Sequence, residues 1–334
     1  MTPTAVFDTY WWFAAERQSI YERRLTDPRG PWTQDRILRE WRFTNAFRAS
    51  DRVSQYLISN VQYAGHRSQA PDEVFFRTML FKLFNKIETW ELIEREIGPV
   101  SWQSIDLSKV DQVLHDALAR GDRIYSAAYI MPAPKLSRDR KHSNHLALLE
   151  MMMQDGLPAR INKAGSLRSV YDLIKPFPGL GSFLAFQYAI DLNYSTLLEF
   201  DESEFVVAGP GALDGIAKCF VDIGARSAAD IIHEMVDRQD REFARLGLIF
   251  KGLFGRKLQP IDCQNLFCEI SKYARIRHPE VRGVSQRTRI KQTYRKASRV
   301  VPAPTFPPRW GLRIELPETR PLDVHTPGEQ GQLF

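Results

Sequence analysis

Lys175-Pro-Phe-Pro-Gly-Leu-Gly-Ser-Phe-Leu-Ala-Phe-Gln-Tyr-Ala-Ile-Asp-Leu-Asn-Tyr-Ser195 sets a Gly179-x-Gly181 turn directly before an apolar run long enough for a helix. Glycine reaches backbone angles closed to other residues, so successive amides at Gly179 and Gly181 can point outward. A helix starting at Ser182 adds its own unpaired amides at the same place. An anion fits there. The same spelling also serves a plain helix–helix turn without a ligand.

Working outward, nearly everything from Thr9 to Lys296 carries helical periodicity. In Phe75-Phe-Arg-Thr-Met-Leu-Phe-Lys-Leu-Phe-Asn-Lys-Ile-Glu-Thr-Trp90, the residues Phe76, Met79, Leu80, Leu83, Phe84 and Ile87 form one apolar stripe. Further helices are expected at Asp8–Leu25, Asp35–Asn60, Lys109–Arg120, Ser143–Met153, Ser166–Ile174, Ser182–Leu192, Leu213–Val221, Ala228–Leu246 and Asp262–Tyr273. Short strands are expected only at Arg123–Met131, Phe205–Ala208 and Leu312–Leu316. Residues 1–300 read as a single helical domain, with room for two lobes around a cleft. Proline density rises after Val301, so residues 301–334 read as a Pro-rich tail, extended over the surface or disordered.

The chain has 334 residues, is 43% hydrophobic and carries a net charge of +6. No apolar run approaches a bilayer span and the start lacks a signal peptide, so no membrane partner and a cytoplasmic location are expected. Cys219, Cys263 and Cys268 show neither a disulfide framework nor zinc spacing, and read as buried thiols; no metal or cofactor is expected. The charge is uneven. Arg275, Arg277, Arg282, Arg287, Arg289, Lys291, Arg295, Lys296 and Arg299 face one acid, Glu280, within a short stretch. With Lys135-Leu-Ser-Arg-Asp-Arg-Lys-His142, this is either the footprint of a polyanion such as nucleic acid or solvated tail charge.

A second glycine cluster, Phe205-Val-Val-Ala-Gly-Pro-Gly-Ala-Leu213, places Gly209 and Gly211 before a helix as a candidate second anion nest. A P-loop is absent, and Gly252-Leu-Phe-Gly-Arg-Lys257 lacks both its spacing and its hydroxyl, so autonomous ATP hydrolysis is not expected. No dinucleotide-binding glycine pattern follows a strand. Candidate chemistry sits on polar residues inside the helices. Trp41-Arg-Phe-Thr-Asn-Ala-Phe-Arg-Ala-Ser-Asp-Arg52 would put Arg42, Asn45, Arg48 or Ala49, and Arg52 one turn apart, offering guanidinium forks and a carboxamide on one face. Lys82, Asn85 and Glu88 lie opposite the apolar stripe of their segment, and Gln187 and Asp191 are one turn apart. For each, a solvated face or structural ion pair competes with a catalytic role.

Pro178-Gly-Leu-Gly-Ser-Phe-Leu-Ala185 resembles the hairpin of helix-hairpin-helix DNA-binding proteins, which grip a backbone phosphate. More widely, Trp41–Val53, Phe75–Trp90, Phe183–Ser195, Ala208–Leu213 and Leu266–Ala274, in this order across residues 35–300, resemble the helical-domain family of DNA base hypermodification proteins. That family includes α-glutamyl/putrescinyl-thymine pyrophosphorylases, amino acid:DNA transferases and the helical domain of 5-hydroxymethyluracil DNA kinases of bacteriophages. The resemblance implies a mainly α, helix-hairpin-helix DNA-glycosylase-like architecture with few short strands. Phe205-Val-Val-Ala-Gly-Pro-Gly211 stands where the glycosylase aspartate segment would be, so excision is less expected than substitution.

The implied reaction is displacement of pyrophosphate from 5-pyrophosphoryloxymethyl-deoxyuridine in double-stranded DNA by an amine, either an amino acid such as glycine or a polyamine. A separate DNA base kinase would supply the substrate, in the cytoplasm of a phage-infected bacterium. On this reading Arg42, Arg52, Lys82, Gly209 and Gly211 serve the leaving group, and Asp191 or Glu88 holds or deprotonates the amine. Asn45, Asn85, Gln187 or Asn193 pair with the base edge, and Phe43, Tyr188 or Tyr194 stack on a flipped base. Gly179, Gly181, Ser182, Arg287, Arg289, Lys291 and Arg295 would hold DNA. Two other readings stay open: a non-catalytic DNA-binding module serving a kinase, and a glycosylase-like excision enzyme.

Overall fold

The computed structural model describes residues 1–27, 29–127, 131–295 and 302–316. Among them the chain is mainly helical, with thirteen α-helices and one two-stranded sheet. Helix α1, Ala5–Thr26, is capped by the Thr4 hydroxyl and buries Val6, Tyr10, Trp11, Phe13 and Ala14 against the last long helix, α13, Pro260–Arg277. Between them lies α11, Pro210–Cys219, started by a proline whose missing N–H costs nothing at that position. A Cβ on Gly215 would stand 2.0 Å from the Phe267 carbonyl oxygen, so the backbones of α11 and α13 touch without side chains between them. Helix α12, Ala228–Arg245, closes this group behind a Ser227/Asp230 capping box.

The other helices build around α4, Pro71–Phe84, whose Phe76, Met79, Leu80, Leu83 and Phe84 are all buried. Asn85 ends it in the left-handed conformation, with φ 50°, so the apolar stripe read through Phe75–Trp90 is shared with a second helix, α5, Ile87–Ile97. Helices α6 (Leu107–Ala119), α7 (Lys141–Gln154) and α8 (Leu157–Asn162) follow. A helical pair, α9 (Leu167–Ile174) and α10 (Ser182–Asn193), then packs on α4 and α8. The free thiols of Cys219 and Cys263 are buried, and Cys268 is half-buried. No helix is long and apolar enough to cross a membrane.

Four expectations need correction. The helix expected over Asp35–Asn60 is only α2, Arg36–Glu40; extended chain from Trp41 to Phe47 follows, then a 3-10 turn, Arg48–Ser50, α3, Arg52–Tyr56, and a π-helical turn, Leu57–Gln62. The apolar period persists, but side chains take the backbone partners away. Asn45 donates from its amide to the Ser50 carbonyl and its backbone N–H donates to Asp51, while Arg17 donates to the Phe43 and Thr44 carbonyls. Second, Leu213–Val221 ends as a helix at Cys219, because β2, Phe220–Asp222, pairs antiparallel with β1, Thr2–Pro3. Third, Phe205–Ala208 and Leu312–Leu316 form no strand. Neither does Arg123–Met131 in its described part, since residues 128–130 lie outside the described residues.

The fourth concerns Gly209 and Gly211. A Cβ at Gly209 would meet the Phe183 ring at 2.5 Å, and one at Gly211 the Cys268 sulfur at 3.0 Å. Their openings are filled by side chains, so this cluster is a close-packing device and not an anion nest. Of the tail, residues 302–316 lie across the helical body, and residues 317–334, like Lys296 and Arg299 of the basic run, fall outside the described residues. Gly215→Ala is expected to cost about 1–3 kcal/mol by overpacking, read as a lowered thermal midpoint, because neither backbone at that crossing can give way cheaply.

Candidate functional site

Helix α10 joins two surroundings. Its N-terminus follows an exposed turn in which Gly179 has φ 79° and Leu180 alone is anchored in the core. Gly181 and Ser182 are exposed, no side chain caps the helix, and a Cβ on Gly181 would meet nothing within 4 Å. The turn is therefore open at Gly181, whereas a Cβ on Gly179 would touch Pro134 at 3.4 Å.

Nine residues on, about 14 Å along the axis at 1.5 Å per residue, Asp191 has no solvent exposure and sits between two cations. Its Oδ1 lies 2.8 Å from Arg48 Nη1 and its Oδ2 3.2 Å from Lys82 Nζ. Lys82, in the last turn of α4, also donates to Asn85 Oδ1 at 2.7 Å, which gives the left-handed Asn85 a role in the site as well as in ending the helix. Arg48 donates from Nε to Gln187 Oε1 at 2.9 Å, and its guanidinium lies 5.6 Å from the centre of the Tyr194 ring. Its backbone N–H donates to Asp262 Oδ1 at 2.8 Å, so α13 fixes the 3-10 turn that delivers it. Gln62, on the π-helical turn, donates to the Asp191 carbonyl and to Thr78. Single π-turns recur at functional sites because they re-aim side chains.

Burial has displaced several titrations toward neutrality. It pushes the Lys82 ammonium down to about 8 against the opposing pull of Asp191. It pushes Glu202 up to about 7, against Arg256, and Asp262 up to about 6, against the N–H groups of Arg48 and Gln259. Asp51 is likewise raised to about 7 by burial. Such a concentration of displaced groups marks sites of chemistry more often than scaffolding.

Of the expected site residues, the structure brings Asp191, Lys82, Asn85, Gln187 and Tyr194 together. Asn45 is buried in the neighbouring loop, its Oδ1 accepting from Arg17, and Asn193 closes on the backbone N–H and carbonyl of Phe200. Both carboxamides are committed to the protein itself. Glu88 and Arg52 lie apart, as an exposed pair 3.6 Å from each other. Arg42 is exposed, and its backbone N–H donates to the Gln292 carbonyl. The expected single face of Arg42, Asn45, Arg48 and Arg52 does not exist, because the chain is extended there. Arg48, which the sequence offered only as an alternative to Ala49, is the centre of the network. Its signal was an arginine with Ala46-Phe47 before it and Ala49 after it.

Arg287, Arg289, Lys291 and Arg295 form a different surface. Residues Gln292 and Tyr294 pair with Arg42 and Glu40 in an extended segment, where Ile290 is buried and the odd-numbered basic residues are exposed. Side chains two apart on extended chain recur every ~6.6 Å, so Arg287, Arg289 and Lys291 form a row of cations, with Arg295 beyond the gap left by Thr293. None of the four is in an ion pair among the described residues. A separate cleft of about 620 Å³ opens between α6 and α7, lined by Asp111, Arg138 and Arg140 among others, and it holds none of the expected site residues. Among the described residues, no three His, Cys, Asp or Glu side chains are set to hold a metal.

The helical domain of 5-hmdU DNA kinase matches residues 4–283. The chain belongs to that family. A 5-hmdU DNA kinase of Bacillus phage SP10 is 27% identical over 290 residues, covering 81% of this chain and 45% of the relative. The chain thus spans less than half the length of that relative. No solved structure matches it. The match contains α10, Arg48, Lys82 and the whole Asp191 network, and leaves the basic strip and the segment at 302–316 outside.

Glu202 offers a test of the electrostatics. Its folded-state value, about 7, lies above the ordinary 4.5. The folded protein therefore takes up this proton first, and stability contributed by the neutral acid is lost as pH rises from 4.5 through 7. Glu202→Gln is expected to match the parent in thermal midpoint near pH 4.5 and to exceed it at pH 8; equal midpoints at both would show that Glu202 is not held above its ordinary range.

Proposed function

We propose that the chain is a DNA-modifying transferase, in which an amine displaces pyrophosphate from 5-pyrophosphoryloxymethyl-deoxyuridine in double-stranded DNA. The observation that carries this reading is α10 itself, open at its N-terminus to a phosphate and ending on a dry carboxylate held by two cations. In this proposal the fold is of the helix-hairpin-helix DNA-glycosylase kind, with the Gly179-x-Gly181 turn and Ser182 holding one backbone phosphate and the basic strip holding others. The target nucleotide leaves the stack to reach the Asp191 network.

The amine lone pair forms the bond to the exocyclic methylene carbon as the bond from that carbon to the pyrophosphate oxygen breaks, and the electron pair leaves with the oxygen. The nitrogen then gives up one proton. Lys82, whose free-amine fraction burial enlarges by lowering its value to about 8, accepts it in that form, and Asp191 stabilises the ammonium so formed. While Lys82 is the free amine, Arg48 and Asp191 balance; once it has taken the proton, Arg48 and Lys82 together exceed the charge of Asp191, and this positive excess offsets the pyrophosphate that has formed. Gln187 and Asn85 orient the pocket. Glu88, outside the network, has no part in this scheme.

The second reading, a binding module for a separate 5-hydroxymethyluracil kinase, is supported by the relative's name and by the absence of a P-loop from this sequence. Incubation of pyrophosphorylated DNA with glycine or putrescine, digestion to nucleosides and mass spectrometry separate the two. A transferase yields a heavier nucleoside carrying the amine; a module leaves the nucleoside unchanged, and an excision enzyme would leave an abasic site.

In single-turnover transfer, Asp191→Asn is expected to lose at least about 100-fold in rate, ~2.7 kcal/mol of barrier, with DNA affinity within about twofold. Because Asn leaves two buried cations facing one another, Lys82→Met is the companion variant, retaining the Arg48–Asp191 pair and losing transfer to a similar extent. A rate within threefold of the parent in both would remove the network from the mechanism. Replacing Arg287, Arg289, Lys291 and Arg295 by Ala should flatten the log–log salt dependence of DNA binding by up to about 3.6 units. Gly181→Val should weaken binding at unchanged melting temperature, since its side chain would enter open space where a phosphate would lie.

A further inference from the structure

The segment from Pro302 to Ile314 reaches the Asp191 network from outside the helices. Gln55 fixes its start, accepting from the Thr305 N–H and donating to the Thr305 carbonyl at 2.8 and 2.9 Å. Arg309 donates to the carbonyls of Leu198 and Asn193. Trp310 then lies on the Arg256 guanidinium, 4.0 Å from carbon to ring centre, and meets the Tyr194 ring edge-on at 5.7 Å. Phe306 stacks on the Trp310 ring at 6.0 Å and packs in turn on Phe254. Tyr194 is the same ring that lies beside Arg48.

Two features here have no account in the packing of the helices. Phe254 has φ 50°, a conformation that bulky residues rarely take, and it does so in the Gly252–Arg256 turn that aims Arg256 at Trp310. Non-glycine residues held at positive φ cluster where a backbone serves a ligand. Beside Arg256, Glu202 is 3% exposed, with Oε2 3.6 Å from the guanidinium and Oε1 without any hydrogen-bond partner. A buried acceptor without a donor is costly and calls for one from outside the chain.

We infer that Arg256, Tyr194 and Glu202 form a binding site for a flipped uracil-type base, whose place Trp310 occupies in the free protein. An indole and a pyrimidine are both flat rings that stack on a guanidinium. A uracil-type ring also carries an N3–H donor for Glu202 Oε1, which indole, with its single N–H, does not supply in this pose. With Glu202 ionised, the ring nitrogen of cytosine at the same position sets acceptor against acceptor and leaves Glu202 unpaired, so the preference is read at pH 8, above the Glu202 value of about 7. The stacking platform lies within the family match, whereas the segment that covers it lies beyond residue 283. The inference rests on the transferase reading only for the identity of the base.

Binding is measured by fluorescence anisotropy with duplexes carrying one 5-hydroxymethyluracil or one 5-hydroxymethylcytosine, neither of which needs the amine or the pyrophosphate. Trp310→Ala is expected to tighten the 5-hydroxymethyluracil duplex several-fold over the parent and to prefer it about tenfold over the cytosine duplex. Adding Glu202→Leu should return that preference to about one, with both proteins melting as folded chains. In the unaltered protein, deuterium exchange of amides in residues 303–314 should rise when the 5-hydroxymethyluracil duplex is added. Unchanged or weaker binding by Trp310→Ala, a preference that survives Glu202→Leu, or a segment no more exchangeable with DNA bound would each overturn the inference. A clear preference for the uracil duplex without amine transfer would leave this site standing and remove the transferase. Transfer without any preference would do the reverse.

Discussion

The carboxylate of Asp191, taken wholly out of water between Arg48 and Lys82, is the constraint to which the surrounding structure answers. Removing one member of a buried ionic set costs several kcal/mol because it strands the other charges, so such a set survives only where hydrogen bonds satisfy each member. Hydrogen bonds reach it here from five separate elements, the 3-10 turn through Arg48, α4 through Lys82, α10 through Gln187, α13 through Asp262, and the π-helical turn through Gln62, while Asp191 Oδ2 has the Lys82 ion pair. The network therefore specifies how these elements sit relative to one another. It also leaves two cations against one carboxylate in a dry place, which a neutral core would never need.

Much of the fold could be read from the sequence where local rules act alone. The stripe of α4 and the caps at Ser166 and Ser227 decide helices from neighbouring residues. What could not be read depends on partners far along the chain. Strand β2 exists because Thr2 and Pro3 lie beside it, more than two hundred residues away, and nothing near Phe220 announces that. The chain around Arg48 kept a helical apolar period while Arg17, Asn45 and Asp51 spent its backbone hydrogen bonds elsewhere. Period reports which side is buried; it does not report whether the carbonyls are free.

The site was legible in part for the same reason. Lys82, Gln187 and Asp191 stand among large apolar and aromatic residues, which made a buried polar pocket one of the readings; the solvated face, the other, is excluded by their burial. Glu88 belongs to the same stretch of sequence as Lys82, yet the left-handed turn at Asn85 starts a new helix and carries Glu88 to the surface. Two glycine pairs, spelled almost alike, part company on what stands in front of them. Gly181 faces open space, whereas Gly209 faces the ring of Phe183. Spacing alone cannot separate a glycine that admits a ligand from one that admits a neighbour.

A reactive centre that must be dry and also admit a nucleotide meets two opposing demands, and their resolution depends on which part of the chain yields. Every member of the Asp191 network sits on a helix or on a turn fixed by one, and moving any of them would break backbone hydrogen bonds along with the ion pairs. The segment at 302–316 is different. It is held by a few side chains and one stacked indole, and its backbone makes only a single 3-10 turn, Pro308–Trp310, with no hydrogen bond to a helix ladder of the body. If a base takes the face of Arg256, stacking is exchanged for stacking, and the partner that Glu202 gains is added on that side. Opening at this edge thus leaves the charges of the Asp191 network in place and moves only Arg309 away from Glu202. The helical body can keep its network assembled while the cover alone changes.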